Sequence, residues 1–162
     1  MDFYKDSKNK VYSFTDLQVA NGIDSDLTAI TQEEADAICN PAPTLENCRC
    51  AKLAEMRKEC DDAIATLFQS DALGTDKTYS YDCREIDQLN LQSIVIAGNG
   101  GSIYVHDGQW FNEVGHTHEQ SATLLSDMLE HIRVQRFDKL KPIIAAINAA
   151  TTNDEINAIT WS

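Results

Sequence analysis

The segment "NPAPT", residues 40–44, constrains this chain more than any other. A helix cannot run through Pro41 and Pro43, because each removes a backbone N–H and its ring clashes with the preceding turn. The acidic stretch "EEADAIC" before it must therefore end by Asn40. Thr44 then stands where an N-cap belongs, in front of "LENCRCAKLAEMRKECDDAIATLF". The two prolines form a stiff joint, so the expected organisation is two modules. Residues 1–43 form a docking module of β-hairpin and helix, and residues 44–162 a mainly helical module with a β-hairpin. The fold class is α+β. A chain of 162 residues with 43% hydrophobic content can build a packed core over that length.

In the first module, "FYKDSKNKVYSF" places two short aromatic segments around a polar turn and reads as a β-hairpin. Thr15 or Asp16 is positioned to cap a short helix over "LQVAN", and "LTAIT" reads as a short strand. Thr31 and Glu34 have the spacing of a capping box.

In the second module a long helix is expected from Thr44 to about Phe68, with Leu45, Leu53, Met56, Cys60, Ile64 and Leu67 at helical spacing. "TYSYDC" alternates as a strand does. "EIDQLNLQSIVIAG" reads as a helix ending at Gly98. "SIYVHDGQWFNEV" reads as a hairpin with "DG" as its turn. Thr117 with Gln120, and Thr152 with Glu155, repeat the capping-box spacing. The helix after Thr117 carries Leu124, Leu125, Met128 and Ile132 on one face. Pro142 should start, break or kink a segment, with "PIIAAINAA" helical.

Charge excludes some function classes. With 26 acidic against 13 basic residues, the formal net charge is -13. Phosphate backbones and anionic membrane surfaces demand clustered Lys and Arg, so neither nucleic-acid binding nor membrane attachment is expected. No apolar stretch approaches a bilayer span, and "MDFYKDSKNKVYSF" lacks the apolar run of a signal peptide. The expectation is a chain that begins in a cytoplasm, where its five cysteines stay reduced.

Cys39, Cys48, Cys50 and Cys60 crowd one stretch but do not make a metal site if the helix forms. Residues two apart on a helix point about 200° apart, and Cys60 lies roughly 15 Å beyond Cys50. His116 and His118 form an H-x-H unit, and His106 is a third ligand if the loops fold together, with Cys83 a further candidate. A small metal-binding protein using that region is the alternative reading; no cofactor is otherwise expected. No catalytic residue is nominated. A G-x-S-x-G turn is missing, and "GNGGS" has no G-K-[ST]. The interface candidates are Phe3, Tyr4, Tyr12, Phe14, Trp110 and Trp161, aromatic residues suited to core or contact surface.

The order of these pieces resembles a known family. "NKVYSF...QVANGI...LTAITQEEADAICNPAPTLEN" looks like the start of phage tail-fibre assembly proteins, which open with a short β segment, an "EEA" helix and a proline joint. The part from "AKLAEMRKECDDAIATL" through "TYSYDCREIDQLNLQ", "GQWF" and "LLSDMLEHI" to "LKPIIAAINAATTNDEINAI" resembles a domain of phage tail and tail-fibre-region proteins. The resemblance implies a fibre-assembly chaperone or a fibre-tip or tail component, not an enzyme. It implies a phage tail or tail-fibre protein as partner, the host surface as a second contact, and homo-oligomer formation as an open question. It places the protein in the cytoplasm of an infected bacterium during assembly, with retention in the virion tail as the extension. Tyr81, Asp82, Gln88, Asn90, Leu91 and Trp110 carry over as fold or interface determinants. The chain departs from the family pattern at Cys48 and Cys50, where alanine or charged residues are usual.

Overall fold

The computed structural model describes residues 1–15, 18–19, 22, 26–74, 77–106, 108 and 111–162. Asp16, most of the helix expected over "LQVAN", Asp107 of the expected turn, and Trp110 lie outside the described residues. The chain divides into two compact units, Met1–Thr44 and Leu45–Ser162.

The first unit holds strands β1 (Asp2–Lys5), β2 (Val11–Phe14) and β3 (Thr28–Ile30), all antiparallel in the order β2-β1-β3. The β1–β2 reversal is built by Asp6. Its Oδ1 accepts the backbone N–H groups of Lys8 at 2.8 Å and Lys10 at 2.9 Å, and Asn9 adopts φ +59°. These bonds, the Lys10 amide foremost, hold the Asp6 carboxyl below its usual range. Helix α1 (Gln32–Cys39) follows, opened by a complete Thr31–Glu34 capping box. Asn40 ends it, ahead of the prolines.

The second unit is α+β. Helix α2 (Leu45–Ile64) leads into strands β4 (Phe68–Ser70) and β5 (Tyr79–Tyr81), then helix α3 (Glu85–Ala97). Strands β6 (Gly101–His106) and β7 (Phe111–His116) precede helix α4 (His118–Arg133). A π-helical segment, Val134–Leu140, joins α4 to α5 (Lys141–Ala149), and α6 (Asn153–Asn157) closes the described elements. The expected hairpin is thus half of a four-stranded antiparallel sheet ordered β4-β5-β6-β7.

The sheet sides on a core that also takes Cys60 and Ile64 from α2, Leu91 from α3, and Leu124 and Met128 from α4. Leu125 and Ile132 pack against it half-buried, as the α4 stripe requires. The N-terminal half of α2 is tied to the segment before α6, where the Arg49 guanidinium donates to the Ala150 carbonyl at 2.6 Å.

One helix end differs from the sequence expectation. Helix α2 stops at Ile64, four residues short of Phe68. The Thr66 hydroxyl donates to the Ala63 carbonyl at 2.7 Å, and such local bonds compete with helix propagation. Beyond it the periodicity changes: Phe68 and Ser70 are buried and Gln69 exposed, while Leu67, expected on the helical stripe, is 45% exposed. Pro142 does start a segment, one of the outcomes its position allowed, because α5 opens at Lys141. It sits in the first turn of α5, where its missing N–H leaves no gap, and the π-helical segment hands the chain over by a Lys141 N–H bond to the Arg136 carbonyl. Among the described residues, no helix is long and apolar enough to cross a membrane.

Candidate functional site

Three of the interface candidates share one face of the first unit's sheet. Tyr4 and Tyr12 are register partners, and Phe14 follows Tyr12 by two residues, so strand alternation points all three the same way. Tyr4 and Phe14 meet edge to face with centroids 5.6 Å apart; Tyr12 and Phe14 stack at 6.4 Å. The Lys10 amine lies 5.2 Å from the Tyr12 centroid, and the Tyr12 hydroxyl donates to Asp6 at 3.2 Å. Each of the three rings keeps part of its surface in solvent. Phe3 pairs with Ser13 and Ile30, on the opposite face. The result is an aromatic patch with polar edges, the composition that protein-binding surfaces favour.

The three histidines do not converge. His116 is 4% exposed, with both ring nitrogens committed: Nδ1–H donates to the Val114 carbonyl at 2.9 Å, and Nε2 accepts the Tyr81 hydroxyl at 3.1 Å. Its β-partner is Gly101, so it lies on the core side, whereas His106, five residues along β6, points to the other side. His118 is exposed in the first turn of α4. Residues two apart face the same side only in an extended chain; Thr117 caps a helix there, and the change of backbone direction parts the two rings. Cys83 is fully buried, and burial pushes its thiol up to about 11. Among the described residues no three His, Cys, Asp or Glu side chains gather as metal ligands do. Trp161 is half-buried and packs against the core of the second unit.

The second unit also has a cleft that the sequence reading did not anticipate. Strands β5 and β6 share a single registered pair, Ser80–His106, while β6 and β7 share six. After Tyr81 the chain leaves the sheet for α3. The Arg84 N–H bonds to the Asp87 carboxylate at 3.2 Å, and the Gln88 amide donates to the Cys83 carbonyl at 2.9 Å. The opening is a cleft of about 580 Å³. Its floor includes Phe68, Tyr81 and Leu91, and its flanks Ile94 and Ile103. Asp82, Arg84 and Asp87 stand at the mouth. The Arg84 guanidinium lies 2.8 Å from Asp87 and 3.3 Å from Asp82, and His106 Nε2 is 3.5 Å from Asp82. Tyr81, Asp82, Asn90 and Leu91, nominated from the sequence as fold or interface determinants, all line it. What hid the cleft is that it arises from an early departure of one strand, which no residue pattern encodes.

No family model matches this chain, and no curated protein and no solved structure matches it either.

Proposed function

We propose that this protein works by protein–protein binding, as a tail-fibre assembly chaperone or a tail-associated component of a tailed bacteriophage, and that it is not an enzyme. The phage assignment rests on the resemblance of "EEADAICNPAPT" and the segments after it. The observation that carries the binding role is the Tyr4–Tyr12–Phe14 patch, two tyrosine rings packed on Phe14 and all three partly exposed on the sheet of the first unit. Tyrosine and phenylalanine anchors of this kind supply large contact area with little side-chain entropy to lose. The acidic net charge of -13 suppresses unwanted association and leaves the aromatic patch to select the partner. On this reading the protein acts in the cytoplasm of the infected cell, on a tail or tail-fibre protein.

The test is co-expression with the fibre or tail protein encoded beside it. A stable complex is expected on affinity purification. The double substitution Tyr12→Ser, Phe14→Ser should weaken that complex at least tenfold, the scale of one or two lost aromatic anchors. Recovery of the protein without any fibre or tail partner would sink the proposal. Mass spectrometry of purified virions separates a transient chaperone, absent from particles, from a retained tail component.

A further inference from the structure

We propose that the cleft of the second unit binds a small organic cation, a compact apolar body carrying a protonated amine or guanidinium. Its volume of about 580 Å³ falls in the range of sites for small molecules. The cleft is built by the chain path: β5 quits β6 after one registered pair, and the Gln88–Cys83 and Arg84–Asp87 bonds hold the departing segment to α3. Phe68, Tyr81 and Leu91 give the floor an apolar surface that is otherwise buried in the core.

The mouth decides the charge. Arg84 is the sole cation among the described lining residues, and both Asp87 and Asp82 already engage it. An anion therefore finds no uncommitted guanidinium and meets two carboxylates against one positive charge. A cation meets the net negative charge that two carboxylates leave against one guanidinium, beside apolar walls where reduced hydration strengthens the attraction. The charge of -13 on the whole chain adds a field that draws cations in. This inference does not depend on the phage reading.

The experiment is a methyl-detected NMR titration of the full chain with three probes that share a 2-phenylethyl body: 2-phenylethylamine, 2-phenylethanol and 3-phenylpropionate. Saturable shifts are expected at the Leu91, Ile94 and Ile103 methyls with the amine, weaker ones with the alcohol, and none with the carboxylate. Asp82→Asn should weaken amine binding about fivefold and leave the alcohol unchanged, the scale of a partly exposed ion pair. Should that variant fail to fold, raising the salt concentration on the unmodified protein serves the same end. Amine affinity should then fall and alcohol affinity hold. Three results overturn the proposal: no saturable shift with any probe, equal affinity for amine and carboxylate, or amine shifts scattered over the acidic surface instead of the cleft methyls.

Discussion

At the scale of single residues, burial sets the chemistry of the thiols and of one phenol. All five cysteines are free, with Cys39 and Cys50 exposed and Cys60 and Cys83 buried. Burial raises both buried thiols, Cys83 to about 11. Since the thiolate is the reactive form, iodoacetamide at pH 8 should modify Cys39 and Cys50 within minutes and leave Cys60 and Cys83 intact until denaturant is added; peptide mass spectrometry reads the difference. Tyr81 is 2% exposed and its phenol is pushed up to about 12, chiefly by burial. Its ordinary value is 10.0. Between these values the unfolded chain has lost the proton that the folded chain retains, so stability falls as pH rises through that window. Tyr81→Phe removes this decline. It also strips His116 Nε2 of its partner, which should cost about 1–3 kcal/mol at pH 7. Urea unfolding of both proteins at pH 7 and across pH 10–12 checks both statements.

At the scale of elements, capped helix starts were the most readable feature and strand ends the least. Thr31, Thr117 and Thr152 each form the capping box that their spacing to Glu34, Gln120 and Glu155 anticipates, because every bond in that motif is local. Gly98 ends α3 in the left-handed conformation expected of a helix C-terminus. Strand β4 escaped notice because three residues, "FQS", carry no period long enough to read. Gly100 shows a requirement of a different kind. At φ +71°, a Cβ there would lie 2.2 Å from the His116 carbonyl oxygen, at the junction of β6 and α4. Gly98 has the same backbone conformation with open space around it. Gly98→Ala should cost about 1–2 kcal/mol from backbone strain alone, and Gly100→Ala about 3 kcal/mol or more, because main chain must move. Urea midpoints of the two variants give the comparison.

At the scale of the whole molecule, the two units differ in what can sustain them. Among the described residues of Met1–Thr44, Ala35 alone is buried in full, and the sheet aromatics stay partly exposed. Leu45–Ser162 holds the core cluster around Tyr81, Leu124 and Met128. A fragment of residues 45–162 should unfold cooperatively with dispersed amide NMR signals. A fragment of residues 1–44, near the lower size limit for a lone domain without disulfides or metal, should show little fixed structure by the same measurement. A well-dispersed spectrum from residues 1–44 would contradict the core argument. Patterns of period two or 3.6 did anticipate the α+β class, the first hairpin and the α4 stripe of Leu124 and Met128. They could not say that β4, β5, β6 and β7 join in one sheet, since that pairing links residues far apart in the chain.

The candidate sites divide along the same line. The sequence by itself determined that Tyr4, Tyr12 and Phe14 share a face once the hairpin forms, because alternation along a strand is a local property. It also determined the helix starts at Thr31, Thr117 and Thr152, and the helix stop ahead of Pro41. Only the tertiary structure decided that His116 turns into the core to meet Tyr81, away from His106 and His118. Only it opened a cleft beside Asp82, Arg84 and Asp87. The physical reason is range: caps, turns and alternation are settled within a few residues, whereas burial, cleft shape and the company a charge keeps depend on segments folded together from distant parts of the chain.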